Sequence, residues 1–113
     1  MNRAGADCED RAARHLEQAG LQVVARNFRS RFGEIDLIAR DHDMLVFVEV
    51  RARSRSDFGG AAESITAAKR ERLRLTAQIY LSRLPEAPPC RFDVVLVSGP
   101  ELETIEWLVS AWE

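Results

Sequence analysis

The chain predicts an α/β fold, a small mixed sheet flanked by helices in the order α-β-β-β-α-β-β. Three observations carry this expectation. Two segments repeat apolar residues at helical spacing, and short runs rich in Val, Ile and Phe lie between turns marked by Gly, Pro or Asp. One such run follows the second helix, where a crossover returns the chain to the sheet parallel to a neighbour. At 113 residues the chain fits one domain, residues 1–113, with a single modest core.

Residues 8–19 read as the first helix, with Ala12, Ala13, Leu16 and Ala19 as its apolar stripe and Arg11, Arg14, Glu17 and Gln18 outward. Asp7 is the expected N-cap, Asp10 a further capping acid, and Gly20 the residue that ends the helix. LQVVARNF (21–28) reads as a strand and RSRFG as a turn, before EIDLIA (34–39) and MLVFVEVRA (44–52). The connection RDHD is too short for a parallel crossover, so these two strands form an antiparallel hairpin. After the loop RSRSDFGG, residues 61–84 read as the second helix, broken by PEAPP. RFDVVLVS (91–98) is a further strand, and the remainder offers a marginal last strand with a helical turn around Trp107 and Trp112.

Composition narrows the function classes. Hydrophobic residues at 46% and charged residues at 30% exclude a disordered chain. A net charge of -2 argues against a general nucleic-acid coat, yet residues 26–55 hold seven Arg against five acids, a local +2. Cys8 and Cys90 lack the spacing of a zinc site or a disulfide scaffold and are expected as free thiols. No run is long enough to span a bilayer, and the first twenty residues lack the apolar stretch of a signal peptide, so the expected compartment is the cytoplasm.

The carboxylates of the hairpin need a separate account. Leu45, Phe47, Glu49 and Arg51 alternate onto one face of their strand, with Val46, Val48 and Val50 on the other. Glu49 therefore sits where a covered strand ends, and a lone ionised carboxylate there costs several kcal/mol or takes up a proton. A turn near 41–43 brings Asp36 opposite 48 or 49. Two adjacent carboxylates repel, and a hard divalent cation removes that repulsion. The competing account is structural, with Glu49 paired to Arg51 or Arg31 and Asp36 accepting turn amides.

The stretches CEDRAARHLEQAG, RNFRSRFGEIDLIARD, VFVEVRARSRSDFGGAAESITAAKRERL and RFDVVLV cover nearly the whole chain in order. In them the chain resembles the small bacterial family of YraN-type proteins, related to the PD-(D/E)xK nuclease superfamily and its archaeal Holliday-junction resolvases. The resemblance implies a restriction-endonuclease-like core and Mg²⁺- or Mn²⁺-dependent hydrolysis of DNA, with branched DNA as a candidate substrate and a homodimer as a candidate assembly. It makes Asp36 and Glu49 the metal-binding carboxylates, the Val50 carbonyl a further ligand, and Glu9 an acid brought near the same centre. Arg51 stands where the superfamily motif usually has Lys. An arginine offers charge to a phosphate but does not give up its proton, so it cannot act as a general base. Cys8 stands where the family commonly has Gly. Arg26, Arg29, Arg31, Arg53, Arg55 and Lys69 are the candidate contacts to a nucleic-acid backbone. Two other readings are a catalytically inactive nucleic-acid-binding module on the same scaffold and a protein-interaction or structural protein.

Overall fold

The computed structural model describes residues 3–53 and 65–112. Its elements run α1 (Arg3–Gln18), β1 (Gln22–Ser30), β2 (Gly33–Asp41), β3 (Met44–Ala52), α2 (Ala67–Ser82), β4 (Cys90–Ser98) and β5 (Thr104–Trp112). The five strands form one mixed sheet in the order β1-β2-β3-β4-β5. β3 and β4 are parallel, joined through α2, and the other neighbours are antiparallel.

Alternation along β3 assigns the helices to opposite faces. Val46 and Val48 pack with Leu37, Ala39, Val95, Val97 and the α1 residues Ala12, Ala13 and Leu16. Leu45 and Phe47 pack with Ile38 and the α2 residues Leu73 and Ala77. Since β3 is covered on both sides, it reads as a continuous apolar run until Glu49. Cys8 fills part of the core under α1, while Cys90 is exposed, and both thiols are free.

Several boundaries differ from the sequence expectation. α1 starts at Arg3, so Asp7 is inside the helix and not its N-cap; the alanines at 4 and 6 favour helix upstream of it. α2 starts at Ala67 behind the N-cap Thr66, whose side chain accepts the Lys69 N–H at 3.1 Å. The expected start at 61 lies outside the described residues. β1 runs on through Arg29 to Ser30, which leaves Arg31 and Phe32 as the turn. Trp107 and Trp112 lie on a strand and not on a helical turn: β5 continues to Trp112, and its apolar period is hidden by a register shift with Ser110 at φ 52°. Gly20 does end α1 as expected, at φ 100°, with Leu21 N–H bonded to Leu16 C=O and Gly20 N–H to Glu17 C=O. Among the described residues no helix is long and apolar enough to cross a membrane.

Two polar connections fix the layers. Ser30 Oγ lies 2.8 Å from Thr76 Oγ1, and the buried Thr76 also donates to Arg72 C=O at 2.9 Å, which ties α2 to the β1–β2 turn. Asp93, wholly buried on β4, accepts from Arg91 Nε, Trp107 Nε1 and Ser110 N–H, and so fills the register shift opposite β5.

Candidate functional site

The β2–β3 ladder ends at Leu37↔Val48. Extending that register by one places Asp36 opposite Glu49. Beyond the last pair the backbones no longer bond, and Asp36 Oδ2 takes the Val50 N–H at 2.8 Å. Strand alternation fails at the same point, because Ile35 and Ile38 pack into the same cluster although three residues apart. On the other side Asn27 of β1, at φ 53°, lies between the paired residues Arg26↔Leu37 and Phe28↔Ile35. The break turns the Asp36 carboxylate toward the plane of the sheet, where an amide of β3 is open to it.

Glu49 is buried on the α2 side of the sheet, and its Oε1 accepts from Lys69 Nζ at 2.8 Å. Lys69 is not among the partners that the sequence suggests for it. Burial first, and then the charge of Glu49, push the Asp36 carboxyl up to about 7; the Val50 N–H pulls the other way, and Glu9 and Glu34 add to the rise. Glu9 on α1 is also raised, chiefly by burial and then by Glu34, against a lowering hydrogen bond from Asn27. Four carboxylates from α1, β2 and β3 thus share one end of the sheet. Among the described residues, no three His, Cys, Asp or Glu side chains close on a common metal position. The oxygen donors that the register sets opposite one another are Asp36 and Glu49, with the Val50 N–H bonded to Asp36.

The basic candidates divide. Lys69 lies in the centre itself, on Glu49. Arg51 follows Glu49 on the same strand, half-buried. Arg26 pairs with Asp10 at 2.6 Å and Arg29 with Glu34 at 3.2 Å, both along the exposed edge strand β1. Arg31 stacks over Phe32 at 4.9 Å, and Arg53 pairs with Glu106 at 2.9 Å. Arg55 lies outside the described residues. An open depression lined by Arg40, His42, Asp43, Glu86 and Pro88 sits at the other end of the β2–β3 hairpin and gathers none of these residues.

Sequence reasoning missed Asn27, Glu34 and Thr66 as parts of this end. Glu34 had a signal, two residues before Asp36 on one strand. Asn27 had a weaker one, an amide residue inside an otherwise strand-like run. Tyr80 and Trp112 pack against Phe28, Phe47 and Phe92 as core and rim aromatics.

Comparison with known proteins gives consistent results along the chain. The profile of the uncharacterised protein family UPF0102 matches residues 8–97, from Glu9's helix to the end of β4. The UPF0102 protein of Dechloromonas aromatica is 64% identical over 107 residues, covering 95% of this chain and 88% of its own length. That of Paracidovorax citrulli is 54% identical over 114 residues, covering 97% and 82%. That of Methylobacillus flagellatus is 52% identical over 112 residues, covering 99% and 98%.

Proposed function

The chain belongs to the UPF0102 family, and from the geometry at Asp36 and Glu49 we propose that it is a divalent-metal-dependent DNA phosphodiesterase, structure-selective or resolvase-like, on a restriction-endonuclease-like core. The observation that carries this reading is the half-buried Asp36 placed opposite the buried Glu49 where their ladder ends, each within reach of the other's charge. A packing role does not need that arrangement, which costs the protein the burial and the repulsion that raise Asp36.

The donor set fits a hard cation. Asp36 and Glu49 would hold it, with the Val50 carbonyl as a further oxygen, and Mg²⁺ keeps several waters, so few protein ligands suffice. When bound, Mg²⁺ or Mn²⁺ supplies Lewis-acid polarisation of the scissile phosphate and makes water a better nucleophile. Arg51 offsets charge on the phosphate without exchanging a proton. Glu9, held by Asn27, orders the polar surroundings of Asp36 from the α1 side. Arg26 and Arg29 are in exposed ion pairs, worth roughly 0–1 kcal/mol, so both can exchange a carboxylate for a DNA phosphate at little cost. With Arg31, Arg53 and Arg55 they supply affinity without reading sequence. A homodimer would present two such centres to a branched DNA.

The test is cleavage of junction, flap, single-stranded and duplex DNA with Mn²⁺, by the wild type, Asp36→Ala and Glu49→Ala. Cleavage by the wild type alone is expected. Cleavage that survives both substitutions removes the centre from the reaction. Salt-sensitive DNA binding with no cleavage supports the binding-module reading instead.

A further inference from the structure

We propose that Lys69 is a second phosphate-facing cation of this centre, delivered from α2 to the Glu49 side of the sheet. The assignment rests on the phosphodiesterase reading and deepens it. Its first support is position. Lys69 Nζ is 2.8 Å from Glu49 Oε1, with the Glu49 side chain 8% exposed and that of Lys69 36% exposed, so the ammonium bridges the buried carboxylate and solvent. An ammonium has three donors, and Glu49 engages one.

The second support is that helix stability does not account for a lysine here. Lys69 is the third residue of α2, in a first turn with no acidic residue. That position favours Glu or Gln, which reciprocates the Thr66 cap, and the positive end of the helix disfavours a cation. Helix end and ammonium thus add the same sign of charge beside Glu49, an arrangement suited to an anion.

The third support is rigidity. Thr66 caps the helix through Lys69 N–H, Ile65 before it is buried, and the Ser30–Thr76 contact fixes the next turns against the sheet. Of the other α2 cations, Arg70 lies over the Trp112 ring at 6.0 Å and Arg74 pairs with Glu71.

In the hydrolysis, a water oxygen bonds to phosphorus and the bond from phosphorus to the leaving sugar oxygen breaks. The water's proton passes to solvent, and the leaving oxygen takes a proton from solvent. Lys69 takes no part in these proton transfers and offsets charge on the phosphoryl oxygens, which is a role for its charge and its donors.

The decisive measurement is binding of a short phosphorothioate-linked branched oligonucleotide, with Ca²⁺ in place of Mg²⁺, to wild type, Lys69→Met, Lys69→Gln, Lys69→Arg and the charge-matched control Arg74→Met. Lys69→Met should weaken binding about tenfold, the loss expected for one charged hydrogen bond, and Arg74→Met should weaken it clearly less. Lys69→Arg should keep part of the affinity, and Lys69→Gln decides the matter if the Met variant does not fold. Equal losses for positions 69 and 74 overturn the assignment. Cleavage with Mn²⁺ is the second arm, where Lys69→Met should fall by about 10²–10³-fold. Wild-type levels of cleavage by that variant also overturn the assignment. A wild type that does not cleave, but whose oligonucleotide binding still depends on Lys69, ends the hydrolytic reading and leaves the lysine as a phosphate contact.

Discussion

Asp93, wholly buried, and Asp36, half-buried, are both carboxylates on inner strands, and their surroundings could hardly differ more. Asp93 is 0% exposed, and both of its oxygens are taken: Oδ1 by Arg91 Nε at 3.1 Å and Ser110 N–H at 2.9 Å, Oδ2 by Arg91 Nε at 3.2 Å and Trp107 Nε1 at 2.9 Å. The Arg91 guanidinium neutralises it and reaches on to Asp41 at 3.3 Å. Asp36 receives one backbone N–H and faces three other carboxylates. A carboxylate enclosed by donors belongs to the architecture. One half-buried among like charges holds its proton to a higher pH than usual.

The contrast can be broken by substitution, and the largest effect belongs to Asp93. Asp93→Ala leaves a guanidinium, an indole N–H and a backbone amide without their acceptor, so unfolding in urea should show a loss of about 5 kcal/mol. A loss under about 1 kcal/mol would mean that the cluster does not hold β5.

Asp36 should behave in the opposite sense. Its folded-state carboxyl sits near 7 against an ordinary value of 3.8, so between those values the native state binds more protons than the unfolded chain. Its contribution to stability is then fully present below about pH 4 and lost as pH rises through about 7, a span on the order of 4 kcal/mol. Asp36→Asn should flatten that dependence and stabilise the protein at pH 8. An unchanged pH profile in the Asn variant contradicts the crowding of charges around Asp36.

Mn²⁺ should act on the same crowding. At a free concentration a hundredfold above its dissociation constant, it should add about 2.7 kcal/mol at pH 8, much less at pH 5.5, and nothing to Glu49→Ala. Manganese stabilisation that persists in that variant places the ion elsewhere. Arg26→Ala and Arg29→Ala mark the small end, with stability changes under about 0.5 kcal/mol although each removes an ion pair.

Much of this was legible in the residues, and the boundary between what was and was not is physical. The β2–β3 register follows from a short turn, so the approach of Asp36 to Glu49 could be read from spacing alone. The burial of β3 on both faces was equally open, since Val46 to Val48 are apolar regardless of parity. Lys69 and Glu49 are twenty residues apart across a crossover, and no local period places one on the other. Asp93 was hidden because a single acid in an apolar run carries no mark of its donors. Three of those donors come from Trp107, Ser110 and Arg91, and the shift that Asp93 stabilises is what erased the strand pattern of β5. At α1, good helix formers upstream of Asp7 outweighed a plausible cap.

The bond from Val50 N–H to Asp36 Oδ2 gives the protein an internal gauge. A single main-chain proton of β3 is held by the side chain whose charge state is in question, so its resonance in a nitrogen-15 correlation spectrum should move whenever that carboxyl gains a proton or a cation. Slow solvent exchange of that one amide, lost on replacing Asp36 with alanine while Val48 stays protected, would let occupancy be followed in solution with no substrate present.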